Sequence, residues 1–355
     1  MKPLHLPSRR RPLVRGVALG GLMAAGLAVS AGAQALTVIS FGGASGDAMQ
    51  QAYYGPFAES SGVSVTPGDY NGELSRIRAM VETGNVSWDV VEVESPELVR
   101  GCFEGLFEPI DWDRLGLEGE LIDSAIDECG VGVFVWSTAL AYNADALESS
   151  PTSWADFWDV AQFPGTRGLR RGAKYTLEFA LLADGVSADE LYEVLATDEG
   201  VDRAFAKLDE IKEHIQWWEA GAQPPQWLVS GDVVMTSSYN GRIAAAQEEG
   251  NNLAIVWNES IYDLDYWAIV AGSDHLDEAY DFIAFASQAD AQAAYSSRIP
   301  YGPVNPAALE QLDEEQARRM PTHDENLEGA LAIDTDFWVD HGEELEQRFN
   351  AWAAR

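Results

Sequence analysis

The 355-residue sequence is poor in lysine, histidine and cysteine, with four, five and two of them. Only 22 basic residues stand against 58 acidic ones, a formal net charge of −36. A surface of that sign excludes nucleic acid and acidic membrane as partners. The histidines are scattered and the two cysteines have no further ligands in metal-site spacing, so no metal or cofactor is expected. No complete GxGxxG or phosphate-loop Lys-Ser/Thr occurs, and no nucleophile motif marks an enzyme. The most apolar run, Gly16 to Val29, is too short and glycine-rich to span a bilayer stably.

That run belongs to an expected export signal. Lys2, Arg9, Arg10, Arg11 and Arg15 precede it, and Ala33-Gln34-Ala35 follows as an Ala-x-Ala cleavage site. Both the general and the twin-arginine routes fit this leader, and the destination is the periplasm. Removal of residues 1–35 takes five basic and no acidic residues, moving the charge from −36 to −41 on 320 residues. The acid is spread along a chain rich in aromatics, so disorder is not implied. An acidic, lysine-poor surface suits a high-salt habitat. In an oxidising compartment Cys102 and Cys129 are expected to pair, stabilising the fold by roughly 3 kcal/mol through loop closure.

Along the chain, strand-like segments 36–40, 62–67 and 88–96 alternate with helical patterns over 47–60 and 72–83. This order predicts an α/β fold with a parallel sheet, and ligands bind beyond the carboxyl ends of such strands. Phe41, Gly42, Gly43, Glu94 and Ser95 fall there. The glycine-rich turn 41–46 either exposes backbone to a ligand or is a plain tight turn. A pair of apolar strands is expected within 131–142, helices over 175–183, 188–196 and 201–213, one helical stretch over 275–294, and two helices closing the chain.

The segment Asn258 to Val270 reads as a strand with Asp263 and Asp265 on one face, beside Tyr266 and Trp267. It is either a strand opening into a polar, aromatic-walled pocket or an edge strand with a solvated acidic face.

Asp89-Val90-Val91, Thr152-Ser153-Trp154-Ala155-Asp156-Phe157-Trp158, Tyr239-Asn240-Gly241, Leu264-Asp265-Tyr266-Trp267-Ala268-Ile269 and Ile299-Pro300-Tyr301-Gly302-Pro303-Val304-Asn305 occur in a characteristic order and spacing. Through them the whole mature chain resembles the periplasmic spermidine/putrescine-type substrate-binding proteins of ABC importers. The resemblance implies a type II two-lobed fold, each lobe a sheet flanked by helices, with the ligand cleft between lobes. Lobe one would hold 36–141 plus 264–307, and lobe two 142–263 plus 308–355. A monomer that hands a small amine-containing ligand to an inner-membrane permease is implied. Phe41, Tyr239 and Tyr301 match its aromatic walls, Asp265 its amine-binding aspartate, and Glu94 and Ser95 its first-lobe loop.

One segment departs from the family. After Leu169, where the family places acids, this chain reads Arg170-Arg171-Gly172-Ala173-Lys174-Tyr175, and Arg242 stands where some putrescine binders carry an aspartate. Asp265 suits an ammonium group, while Arg242, aided by Arg171 or Lys174, suits a carboxylate. A zwitterionic ω-amino acid is therefore expected, with γ-aminobutyrate the simplest. Asp263, Trp267, Tyr175 and Trp227 complete the candidate set. The competing readings make Arg242 a solvated helix residue, Arg171 and Lys174 partners of surface acids, and Trp227 a core residue. A ligand sensor for a membrane receptor and a secreted carbohydrate hydrolase are the alternative functions.

Overall fold

The computed structural model describes residues 35–117 and 119–355; the export-signal expectation lies outside these residues, Ala35 excepted. No described helix is long and apolar enough to cross a membrane. One sheet of ten strands runs through the described chain: β1 Ala35–Ser40, β2 Ser64–Asp69, β3 Val90–Glu94, β4 Val131–Asn143, β5 Arg167–Arg170, β6 Ile215–Trp218, β7 Met235–Tyr239, β8 Leu253–Ile269, β9 Gly302–Pro303 and β10 Leu331–Ala332. The main order is β2-β1-β3-β8-β4-β7-β5-β6. Helices cover its faces, and their apolar stripes join the strands in the core.

Two strands carry the architecture. The end of β8, from Asp265 to Ile269, pairs with β3, whose partner β1 pairs in turn with β2. The second half of β4, from Thr138 to Tyr142, pairs instead with β7, which leads through β5 to β6. β4 and β8 pair with each other almost throughout, with register shifts at Gly132/Phe134 and Thr138/Leu140. The expected pair of strands within 131–142 is thus one strand of 13 residues, because nothing between Val131 and Asn143 has the chemistry of a hairpin turn. β8 lies inside the sheet, between β3 and β4, which removes the edge-strand reading of its two acids.

Other boundaries shift for local reasons. The first helix starts at Gly43, just after the positive φ of Gly42, and continues through a π turn to Ser61. The stretch 275–294 is two helices, Leu276–Ala286 and Ala289–Ser296, because Gln288 takes an extended conformation as the cap of the second. Three short helices and the 19-residue Thr335–Ala353, capped by Asp334, close the chain where two were expected. Cys102 and Cys129 form the expected disulfide, tying the helix Ser95–Phe103 to the segment before β4 across a Cα separation of 5.7 Å.

Candidate functional site

Three neighbouring strands present charge and aromatic surface on one face. Glu94 of β3 sits opposite Asp265 of β8, and Phe134 and Trp136 of β4 sit opposite Asp265 and Asp263. Residues opposite one another share a face, and period-two alternation adds Glu92 to it. Onto this face close Phe41 and Ser45 after β1, Tyr239 and Arg242 at the start of the helix Asn240–Glu248, and Tyr301 before β9. Together these residues line a cavity of about 30 Å³. Asn240 fixes the closing elements, accepting from the Ser137 N–H at 3.0 Å and donating to the Pro300 carbonyl at 2.7 Å.

One wall is acidic. The Phe41 N–H donates to Glu92 Oε2 at 2.9 Å, and Trp136 Nε1 donates to Asp265 Oδ1 at 2.7 Å. Glu92 and Asp265 both line the cavity, and burial together with their like charge disfavours ionising both at once. Burial and then the charge of Glu92 push Asp265 well above the ordinary carboxylate range. Burial also raises Glu92, against the opposing pull of Asp265 and of the Phe41 N–H. The aromatic walls are braced by contacts among themselves: Tyr301 stacks on Phe134 at 4.7 Å, and Trp136 meets Tyr239 edge-on at 5.0 Å.

Arg242 supplies the opposite charge. It is 6% exposed, and its Nη2 donates to the Phe41 carbonyl at 3.3 Å. Its Nε and Nη1 are buried with no hydrogen-bond partner among the described residues. A buried guanidinium left with free donors is costly unless an acceptor completes it.

The remaining candidates spread outward from the cavity. Gly42 and Gly43 form the turn beside it, both at positive φ. Lys174 is drawn to the acidic side, with Nζ 2.6 Å from Glu94 and 2.7 Å from Glu97, and the Tyr175 hydroxyl donates to the same Glu94 oxygen at 3.2 Å. Burial alone would raise Glu94, but Lys174 and then Arg170 outweigh it and hold the carboxyl below its ordinary range. Asp263 shares the sheet face of Asp265 but does not line the cavity; it accepts from Ser95 Oγ at 2.5 Å, and burial and then Glu94 raise it to about 7. Trp267 packs in the core against Phe282. Trp227 packs beside the Leu228 and Ile243 cluster, and Arg171 sits at the surface against Glu219.

Sequence reasoning missed Glu92, Ser45, Phe134 and Trp136. Glu92 had a signal: it stands two residues before Glu94 in a strand and so shares its face.

Two sets of strands joined by two common ones, around an internal cavity of both charges, define a protein built to enclose a small ligand. Residues 52–322 match the family model of the bacterial extracellular solute-binding proteins, and the chain belongs to that family. It is 61% identical over 334 residues to a γ-aminobutyric acid-binding protein of Pseudomonas aeruginosa, covering 93% of this chain and 95% of the relative. Its fold is that of a periplasmic binding protein from A. tumefaciens R10 solved with agropinic acid, at a TM-score of 0.84 and 33% identity, over 91% of this chain and 99% of that one. A structure described as a GABA receptor matches at a TM-score of 0.80 and 34% identity, over 91% of this chain and 98% of that one. The fold is therefore the two-lobed α/β fold of periplasmic binding proteins.

Proposed function

We propose that this protein is the periplasmic solute-binding component of an ABC importer and that its ligand is a short ω-amino acid, γ-aminobutyrate being the simplest. The observation that carries the reading is the unsatisfied guanidinium of Arg242 in one cavity with Glu92 and Asp265. A carboxylate accepts from the free Nε and Nη1, while the ammonium group at the other end of the ligand compensates the two acids and favours their ionised forms. Trp136, Phe134, Tyr239 and Tyr301 give its methylenes an apolar sleeve and the ammonium ring faces. The name of the 61% identical relative supports the same ligand.

Charge argues against a linear polyamine. A guanidinium that is 6% exposed beside the cavity repels a second ammonium group. In this reading lobe one is 36–141 with 264–307, lobe two is 142–263 with 308–355, and the closed monomer presents its ligand to the permease. Thermal-shift measurement on the mature protein is the test. γ-Aminobutyrate is expected to raise the melting temperature in proportion to saturation, with putrescine and spermidine ineffective. A stronger response to either polyamine overturns the reading.

A further inference from the structure

Glu94 is a wall of the cavity, yet its charge is answered from behind. Lys174 Nζ bonds Glu94 Oε2 and both oxygens of Glu97, and the Lys174 and Glu94 side chains are each only 7% exposed. The segment that delivers Lys174 is held firmly: Glu346 Oε1 accepts from the Ala173 N–H at 2.8 Å, and Tyr175 takes a φ of 70°. Arg170 stands further off, over the Tyr175 ring at 5.9 Å. An ammonium head on a methylene stem, seated on a buried carboxylate, has the chemistry of one end of a diamine.

We propose that Lys174 is a tethered ammonium that takes the place on Glu94 where a second ligand amine would bind, and so restricts the cavity to ligands carrying one ammonium group. Among the described residues that line the cavity, Glu92 and Asp265 are then the acids left to receive a ligand cation. Selection against diamines thus comes from two sources, repulsion by Arg242 and prior occupation of Glu94. The inference rests on the proposed function for its statement about ligands, but Lys174's own part is read separately.

The experiment compares the wild type, Lys174→Ala and Lys174→Ala/Glu94→Gln by calorimetry and thermal melting, with γ-aminobutyrate, α,ω-diamines of graded length and short alkylammonium ions. Lys174→Ala is expected to gain at least about tenfold in diamine affinity and to be stabilised by alkylammonium ions that leave the wild type unaffected, on the scale that one charge-assisted hydrogen bond allows. Both gains should vanish in the double variant. A folded Lys174→Ala protein with neither gain overturns the proposal. If that variant melts too low to titrate, stabilisation by alkylammonium ions still decides: rescue supports the proposal and its absence overturns it. Failure of the wild type to bind γ-aminobutyrate, with alkylammonium rescue intact, would count against the proposed ligand and leave the role of Lys174 standing.

Discussion

Gly43 makes room for Arg242. A Cβ at position 43 would lie 2.2 Å from Nη1 of the guanidinium, and Gly43 holds a φ of 57°, a region that side chains disfavour. Gly43→Ala should therefore cost about 1 kcal/mol of stability from backbone strain. It should also push the guanidinium out of place, weakening γ-aminobutyrate binding tenfold or more on an order-of-magnitude scale. Calorimetry and melting of the same variant separate the two effects. Unchanged affinity would show that Arg242 does not need its present position.

In the proposed reading, Arg242→Ala removes the carboxylate's partner and leaves the ligand's anion buried and unpaired. Truncating one member of a buried charge pair costs about 2–5 kcal/mol, so binding should fall on the order of 100-fold or more. Arg242→Lys should recover only part of it, because an ammonium group cannot reproduce a two-pronged contact. Equilibrium titration checks both.

Binding should release a proton. Burial and like charge disfavour ionising Glu92 and Asp265 together, and a ligand ammonium group between them would compensate that charge. Near neutral pH about one proton is expected per ligand bound, read as the slope of calorimetric enthalpy against buffer ionisation enthalpy. Affinity should rise with pH until the pair is ionised without help. Asp265→Asn should abolish the release.

Asp263 makes a separate pH contribution to stability. An ordinary aspartate ionises near 3.8, but burial holds Asp263 to about 7. Between these values the folded protein binds more protons than the unfolded one, so this group's contribution is full below 3.8 and is lost as pH rises to about 7. Three pH units correspond to on the order of 4 kcal/mol at most. Asp263→Asn, which stays neutral, should flatten that slope in urea melts and raise stability above pH 7. A slope equal to the wild type's would exclude Asp263 as its source.

The Cys102–Cys129 bond closes a loop spanning a sequence separation of 27. Replacing both cysteines with serine should lower stability by roughly 3 kcal/mol, seen as a lower melting temperature, while leaving ligand affinity within about twofold. A comparable loss of affinity would place the disulfide in the binding equilibrium instead.

How much of this was legible in the sequence depended on whether a residue announces itself against its neighbours. Asp265 did, as an acid in an apolar strand, whereas Arg242 drew notice only through the family resemblance, as a base where some putrescine binders carry an aspartate. Phe134 and Trp136 did not, because β4 is apolar on both faces and nothing in such a run marks the side that meets a ligand. The basic cluster 170–174 shows another limit. Arg171 and Lys174 read alike, yet one is exposed and the other buried. The turn at Gly172 and the positive φ of Tyr175 decide between them, and tertiary contacts set both. The alternation of strands and helices was plain, whereas the passage of β4 and β8 through both sets of strands was not, since pairing partners are remote in sequence.

That passage has a mechanical consequence. Where the partners of β4 and β8 change over, the two strands remain paired with each other, Trp136 with Asp263, Ser137 with Tyr262 and Thr138 with Ile261. β10 adds a short third strand there, pairing Leu331 with Ile261 and Ala332 with Tyr262, so the crossing is a narrow ribbon with the compliance of a leaf spring. In the proposed reading, a hinge motion that bends this ribbon leaves the β4–β8 ladder whole, so repeated opening exposes no unpaired edge between those two strands.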